Sequence, residues 1–382
     1  MIHCSYKKLG VAIDIGTTTI GMALVEYSTG AILAEDGFMN PQKVHGSDVA
    51  GRIKYGSTKE GAKKLGALIK DAILNGILTM LQKVNRSIEE IGEIIISANT
   101  TMQYLFLERT TEKLGAYPFT MEDVGFQVLD FQDVFHMFDT KFEIANPIKV
   151  ILLPCISTFV GGDITSGLYY LGFPKEKECC LFLDLGTNGE MAICGENGFF
   201  VTSVPAGPAF EASLRGKGRR GSTLIQWIAQ ARCRGQINLD GKITKRYEQT
   251  GIPLEDNVLL TQEVLRKLQL AKGALMAGVE LLLKKYGANA LEISKVYLAG
   301  SFGFHLDVQS AVLLGMLPSN LQSKVEVVGN TSLKGAIQCL YDENRQKHLE
   351  KIIEKTVSFN LAETEEFDTL FVERMSFSSI KI

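Results

Sequence analysis

The sequence predicts an α/β protein of two duplicated lobes, each a mixed sheet flanked by helices. Patterns of buried strands and amphipathic helices alternate along its 382 residues, which is typical of sheets covered on both faces. In addition, residues 11–27 (VAIDIGTTTIGMALVEY) and 181–198 (LFLDLGTNGEMAICGENG) share the order apolar-apolar-apolar-Asp-apolar-Gly-Thr. Each copy predicts a buried strand, a glycine turn and a returning strand. We therefore expect one lobe in residues 1–150 and the other in 151–382.

The remaining elements of the first lobe follow from local patterns. Residues 30–38 predict a third strand, and the polar segment NPQKVHGSDVAGRI (40–53) leads into a helix. Apolar residues spaced three or four apart over 58–83 predict a helix with one buried face. EIIISANTTM (93–102) predicts a strand that runs into a helix cap. We expect residues 103–148 to form an insertion of mixed structure.

The second lobe continues the alternation of strands and helices. Its predicted elements are the strand VILLPCIS (150–157), a helix opened by GGDITSG (161–167), a long helix over 261–285, the strand and turn KVYLAGSFG (295–303), and the strand VEVVGN (325–330) with a helix after it. The charged end from Asp342 onward predicts a solvated helix.

Composition excludes several classes of protein. Hydrophobic residues make up 46% and charged residues 22% of the chain, so wholesale disorder is excluded. The net charge of −3 offers no basic surface for nucleic acid or an acidic membrane. No run of about 18 uninterrupted apolar residues predicts a membrane span. The seven cysteines form no CxxC pair and the five histidines have no metal-ligand spacing, so we expect reduced thiols, no zinc and a cytoplasmic location.

The repeated Asp-x-Gly-Thr turn has a specific chemical use. Glycine lets backbone N–H groups approach a phosphate, threonine hydroxyls add donors, and a carboxylate at the strand end can hold Mg²⁺ through water. One such turn is more often an ordinary hairpin. Two copies in equivalent positions predict a pair of loops around one nucleotide, with Asp14 and Asp184 as the magnesium residues.

With these motifs the chain resembles the superfamily of actin, Hsp70 chaperones and sugar kinases. In that superfamily two ribonuclease H-like lobes close over ATP, so the resemblance implies an actin-like ATPase fold. It implies a first phosphate loop with Asp14, Gly16, Thr17, Thr18 and Thr19, a second with Asp184, Gly186, Thr187, Asn188 and Gly189, and an adenosine loop with Gly300, Ser301, Phe302 and Gly303.

Within the superfamily, the chain resembles the reductive activators of corrinoid proteins. The resemblance rests on NPQKVHGSDVAGRI, ANTTM, FVGGDITSGL, DLGTNGEMAI, GPAFE, QLAKGALMAG and LAGSFG, which follow one another in that order. Such activators use ATP hydrolysis to drive reduction of a Co(II) corrinoid to Co(I), so that a methyltransferase resumes turnover. The resemblance implies the cofactors ATP and Mg²⁺ and, as partner, the corrinoid protein of a methyltransferase system.

This sequence departs from the activators at its start. Activators usually carry an N-terminal [2Fe–2S] domain, whereas few residues here precede the first predicted strand. We therefore expect no iron–sulfur cluster in this chain and a separate iron–sulfur protein as electron donor. A homodimer is compatible with the sequence, and neither nucleic acid nor membrane is expected as a partner.

The resemblance also assigns roles to individual residues. Asp163, at the start of the helix before the second repeat, is expected to orient the attacking water, although capping that helix would explain it equally well. Gly207 and Glu211 of GPAFE are expected at the ribose or phosphates. Gln269 and Lys272 are expected to bracket adenine and ribose, unless they form a solvated helix face. The roles of Arg215 and Arg219 stay undetermined.

Two alternative functions remain open at this point. A small-molecule kinase is one, because a Gly-Asp at a helix start also resembles the catalytic base of sugar and glycerol kinases. Those kinases generally lack the Asp of DLGTNG, which favours the hydrolysing activator. A chaperone-like ATPase is the other, and the chain shows no peptide-binding domain for it. Fold likeness alone does not choose between such functions.

Overall fold

The computed structural model describes residues 8–122, 124–135, 147–173, 178–204, 221–254 and 259–382. Numbered in chain order, the strands are β1 Leu9–Ile15, β2 Thr19–Glu26, β3 Ile32–Met39, β4 Ile91–Ala98, β5 Gln127–Asp130, β6 Lys149–Leu152, β7 Cys180–Leu185, β8 Gly189–Gly195, β9 Gly198–Val204, β10 Ile252–Pro253, β11 Leu259–Leu260, β12 Lys295–Ala299, β13 Val325–Gly329 and β14 Thr356–Ser358. The helices are α1 Val49–Gly56, α2 Lys59–Lys83, α3 Thr100–Phe106, α4 Glu112–Gly115, α5 Phe131–Val134, α6 Gly162–Tyr170, α7 Gly221–Cys233, α8 Gln262–Tyr286, α9 Gly300–Gly303, α10 Val308–Leu313, α11 Thr331–Cys339, α12 Arg345–Glu354 and α13 Phe367–Glu373.

The chain divides into two compact units, each formed by two stretches of sequence. The first unit is Met1–Phe173 with Thr331–Lys355, and the second is Pro174–Asn330 with Thr356–Ile382. The division therefore differs from the predicted boundary at residue 150. The reason is that β6 lies parallel beside β4 in the first sheet, and α11 returns to pack against α6.

The first unit is built on a six-stranded sheet of order β3-β2-β1-β4-β6-β5. Strands β1 to β3 form an antiparallel meander, and β4 lies parallel to β1. In this register Asp14, near the end of β1, lies opposite Gly21 of β2 and Ser97 of β4. The side chains of the strands and of α2 form one continuous apolar core. The sheet thus holds Asp14 at the end of a buried strand.

The second unit repeats this arrangement. Its six-stranded sheet has the order β14-β9-β8-β7-β12-β13, with an antiparallel meander over β7 to β9 and with β12 parallel to β7. Asp184 of β7 lies opposite Glu190 of β8 and Ala299 of β12. The strands β9-β8-β7-β12-β13 correspond in order and direction to β3-β2-β1-β4-β6, and the unit has a core of its own. The predicted duplication is confirmed.

Helix α2 shows why hydropathy alone is ambiguous. By length and composition it is the one helix in the described part of the chain that could cross a membrane. It begins at the cap Thr58, whose side chain accepts the N–H of Gly61. Its apolar residues Leu65, Ile69 and Ile73 are fully buried in the core of the first unit. This helix is therefore a core element of that unit.

Candidate functional site

Loop 1, residues 16–19, joins β1 to β2 by a tight turn. The N–H of Gly16 donates to the carbonyl of Thr19 at 3.0 Å, and a Cβ at Gly16 would lie 2.7 Å from that same oxygen. Glycine is therefore required by the turn itself. Thr17 is buried, whereas Thr19 is exposed. Asn99, the cap of α3, donates from Nδ2 to Thr17 Oγ1 at 3.1 Å, so the end of β4 holds the loop.

A chain of hydroxyl groups fixes the carboxylate of Asp14. Ser332 of α11 donates from Oγ to Asp14 Oδ1 at 2.7 Å. The Oγ of Ser332 also lies 2.9 Å from the Oγ of Ser97. Ser97 in turn contacts the carbonyl of Gly162 at 3.1 Å. Ser166 of α6 donates to the carbonyl of Ser332 at 2.7 Å. These contacts bind the start of α6 and the start of α11 to the end of β1.

Asp163 lies in the first turn of α6, close to Asp14. Two glycines allow the start of α6 to pack closely against neighbouring backbone. A Cβ at Gly161 would lie 2.4 Å from Asn99 Cα, and one at Gly162 would lie 2.8 Å from the carbonyl of Leu153. Asp163 Oδ1 accepts the N–H of Ile164 at 2.9 Å. The helix cap is Gly161, so Asp163 is not the cap residue, but its carboxylate bonds within the first turn and lies near that of Asp14. Its contact with the attacking water stays a prediction.

The two carboxylates influence each other electrostatically. Burial first and the charge of Asp14 second raise the pKa of Asp163 to about 7, although backbone N–H groups of the helix start act in the opposite direction. A carboxyl with a pKa near neutrality can exchange a proton at the pH at which enzymes work. The role of Asp163 as a general base stays a prediction.

Loop 2, residues 186–189, lies at the corresponding place in the second unit but is one residue tighter, since Leu185 pairs with Gly189 whereas Ile15 pairs with Ile20. The N–H of Gly186 donates to the carbonyl of Asn188 at 2.9 Å. Among the described residues, a Cβ at Gly186 would meet only that carbonyl, at 3.9 Å. As far as the described residues go, the space over the backbone of Gly186 is therefore open, and a ligand oxygen could approach there. Thr187 and Asn188 are partly buried, and Gly189 begins β8.

The predicted adenosine loop adjoins loop 2. Gly300 has φ 84°, a left-handed conformation that favours glycine, and a Cβ there would lie 2.5 Å from Asp184 Oδ1 and 2.4 Å from the carbonyl of Leu185. The backbone of this loop thus packs directly on the end of β7. Ser301 is exposed.

The side chain of Phe302 lies in the core rather than at the surface of the predicted adenosine loop. Its side chain is 5% exposed and belongs to the apolar core of the second unit, because the short helix α9 turns it inward. Gly303 is also buried, and a Cβ on it would lie 3.2 Å from Leu298 Cγ. At these two positions only the backbone could contact a nucleoside.

Gln269 and Lys272 differ from their predicted role. They are 3% and 0% exposed, and they bind the carboxy-terminal segment. Gln269 donates from Nε2 to the carbonyls of Asp240 and Met375, both at 3.0 Å. Lys272 donates from Nζ to the carbonyl of Arg374 at 2.5 Å and to that of Ser376. These side chains are therefore buried, and they form neither the predicted nucleoside contact nor a solvated helix face.

Other predicted positions fall outside the part of the chain that the structure describes. These are Gly207, Glu211, Arg215 and Arg219. Within the described ranges, no group of three or more His, Cys, Asp and Glu side chains could hold a metal ion directly. A magnesium ion held through water by Asp14 and Asp184 stays a prediction.

Sequence reasoning did not single out Asn40, Ser97, Asn99 or Ser332. Asn40 and Asn99 lie in the segments NPQKVHGSDVAGRI and ANTTM that carried the family resemblance, and Ser97 lies in the strand just before ANTTM. The pattern of polar residues at strand ends was a usable signal for those three. Ser332 carried none, since it lies 318 residues from Asp14 along the chain.

Comparison with known families decides the relationship of the chain. Residues 9–176 match the RACo middle region, and residues 178–220 and 213–382 match the C-terminal ASKHA domain of RACo. The chain belongs to the RACo family. The fold of the family is the actin-like ATPase fold predicted from the sequence.

Individual relatives agree with this assignment. The corrinoid activation enzyme RamQ of Eubacterium limosum is 28% identical over 384 residues, which cover 86% of this chain and 63% of RamQ. The [Co(II) methylated amine-specific corrinoid protein] reductase of Methanosarcina barkeri is 23% identical over 281 residues, 60% of this chain and 52% of the reductase. The chain thus spans between half and two thirds of these relatives.

A solved structure of the RACo type is similar over almost the whole chain. The reductive activator for corrinoid, iron–sulfur protein matches with a TM-score of 0.86 and 29% identity, over 98% of this chain and 67% of the activator. The chain is homologous to corrinoid activators over both of its units.

The burial of Lys272 generates a prediction about stability. Burial, with the nearby charge of Arg374, lowers the pKa of Lys272 to about 7, and a neutral amine keeps two N–H donors for the two carbonyls. Unfolded lysine binds its proton up to a pH of about 10.4. Between these values the unfolded state binds more protons, so stability should rise with pH by up to about 1.4 kcal/mol per unit.

Urea unfolding at pH 7, 8 and 9 measures this effect. The wild type should gain stability with pH relative to Lys272→Met, which lacks the titrating group. The exposed Lys267 on the same helix supplies a matched control, since Lys267→Met should keep the pH dependence of the wild type. Parallel pH dependence in the wild type and in Lys272→Met would show that Lys272 is charged in the folded protein.

Proposed function

We propose that this chain hydrolyses ATP to drive the reductive reactivation of a corrinoid protein in a methyltransferase system. The cobalt of the partner passes from Co(II) to Co(I), a one-electron reduction, with the electron from a separate iron–sulfur protein. The observation that carries the ATPase part is the juxtaposition of Asp163 with Asp14 at the end of β1. Membership of the RACo family supports the corrinoid part.

The residues present fit a nucleotide. The open space over Gly186 suits a phosphate oxygen, and carboxylate oxygens such as those of Asp14 and Asp184 suit the water shell of Mg²⁺. In the proposal, loop 1 and loop 2 bind the phosphates, the backbone of 300–303 binds the nucleoside, and Asp14 and Asp184 hold Mg²⁺ through water. Gly207 and Glu211 are proposed ribose or phosphate contacts. When bound, Mg²⁺ neutralises charge on the phosphates.

Asp163 is the proposed general base. Its ionised carboxylate would orient a water molecule and accept a proton from it as that water attacks the terminal phosphate. The bond to the Ile164 N–H fixes one oxygen of the carboxyl group. The hydroxyl chain through Ser332 and Ser97 fixes Asp14 and keeps the start of α6 in place.

Coupling to the partner requires a difference in affinity. ATP can shift the conformational equilibrium of the complex only by binding one state more tightly than the other.

We place the protein in the cytoplasm, where its free thiols, six in the described residues, stay reduced. We also propose a homodimer, and gel filtration with light scattering measures this oligomeric state.

Replacing the base separates binding from hydrolysis. Asp163→Asn should bind ATP as the wild type does and lose about 10²–10⁴-fold in hydrolysis, because the amide cannot accept the proton. Wild-type hydrolysis should rise with pH through about 7, as Asp163 ionises. Steady-state phosphate release and ATP titration measure both effects.

The exposed Asp71 on α2 offers a control of the same chemistry. Asp71→Asn should leave both the rate and its pH profile unchanged. An Asp163→Asn variant that still hydrolyses ATP at the wild-type rate would remove Asp163 from the role of base.

The corrinoid part is tested by mixing the protein with a Co(II) corrinoid protein and a low-potential electron donor. The Co(II) EPR signal should disappear with ATP and persist without it, and Asp163→Asn should not support the loss. Signal loss that does not depend on ATP contradicts the proposal. ATP turnover stimulated by a free sugar or polyol, with a phosphorylated product, would assign the chain to the small-molecule kinases instead.

A further inference from the structure

Asn40 is a buried amide that contacts loop 1 twice. It follows β3 directly, caps the short 3-10 helix Pro41–His45, and is 0% exposed. Its backbone N–H donates to the carbonyl of Thr18 at 2.8 Å. Its side chain donates from Nδ2 to the carbonyl of Gly16 at 2.9 Å. One residue therefore engages two carbonyl oxygens of a four-residue loop.

The orientation of the Asn40 amide is determined by its neighbours. Oδ1 accepts the N–H of Gln42 at 3.0 Å, which only an oxygen can do, so Nδ2 must face Gly16. Nδ2 also lies 3.6 Å from the sulfur of Met102. The same sulfur lies 3.3 Å from Nη1 of Arg52.

Arg52 contacts the residues that surround the Asn40 side chain. Its side chain is 1% exposed and donates from Nε to the carbonyl of Gly46 at 3.1 Å and from Nη1 to Gln42 Oε1 at 3.4 Å. Gln42 in turn donates from Nε2 to the carbonyl of Leu65 on α2 at 3.0 Å. The Asn40 side chain is thus set in a rigid polar network anchored to α2.

The contacts of Asn40 fix the direction of the loop amides. In a trans peptide the N–H points opposite to the C=O. With the carbonyls of Gly16 and Thr18 directed at Asn40, the N–H groups of Thr17 and Thr19 point away from it. Backbone N–H groups of a turn that are directed away from the protein scaffold are donors suited to an anion.

We propose that Asn40 is a positioning residue that sets the amide groups of loop 1 for the phosphates of ATP. The inference rests on the proposed function, since it needs a nucleotide at loop 1. Asn40 itself does not touch the nucleotide. Its effect should therefore be confined to ligands with phosphates that reach the loop.

The test compares ATP with AMP in titrations of Asn40→Ala, Asn40→Asp and the wild type. Loss of the amide frees the loop carbonyls, so Asn40→Ala should bind ATP about 10-fold more weakly. Asn40→Asp keeps the shape of the residue but directs an oxygen at the Gly16 carbonyl, so its loss should be larger. Affinity for AMP should stay within twofold of the wild type in both variants.

An exposed asparagine on α2, Asn75, provides the matched control, and Asn75→Ala should not change either affinity. Equal losses for ATP and AMP, or unchanged ATP affinity in both Asn40 variants, would overturn the inference. A wild-type protein that binds no ATP would instead overturn the proposed function and the inference with it. Melting temperatures confirm that the variants compared are folded, and the isosteric Asn40→Asp carries the test if Asn40→Ala is not.

Discussion

The first unit depends on keeping two carboxyl groups, Asp14 and Asp163, close together at the end of a buried strand. Burial and the charge of Asp14 raise the pKa of Asp163, and hydrogen bonds to the two carboxyl groups compensate in part for holding them together. Ser332 supplies one to Asp14 and the Ile164 N–H supplies one to Asp163. The return of α11 to the first unit is thereby explained, since it carries the hydroxyl that Asp14 needs.

The second unit repeats the framework with different chemistry. The position opposite Asp14 on the parallel strand is Ser97, whereas the position opposite Asp184 is Ala299. The hydroxyl group of Ser97 is therefore replaced by the methyl group of Ala299. Gly300 lets the backbone pack against the carboxylate of Asp184. The duplicated framework thus places a hydroxyl group beside the strand-end aspartate in the first unit and a close backbone contact beside it in the second.

Elements whose residues are close together in the sequence could be predicted from the sequence. The repeat predicted β1 and β2 with loop 1, and β7 and β8 with loop 2. The sequence could not reveal Ser332 as the partner of Asp14, because the contact joins residues 318 apart. For the same reason Lys272 was assigned to a nucleoside: the carbonyls that bury it lie more than 100 residues later, 102 and 104 positions along the chain.

The carboxylate pair is the central claim, and carbon-13 NMR of labelled aspartate tests it most directly. In the wild type, one carboxyl should titrate near pH 7, where burial and Asp14 hold the pKa of Asp163, and the signal should be missing in Asp163→Asn. Asp14→Asn should move that titration to lower pH. If every aspartate titrates near about 4, or Asp14→Asn leaves the titration of Asp163 unchanged, the two groups are not coupled and the account fails.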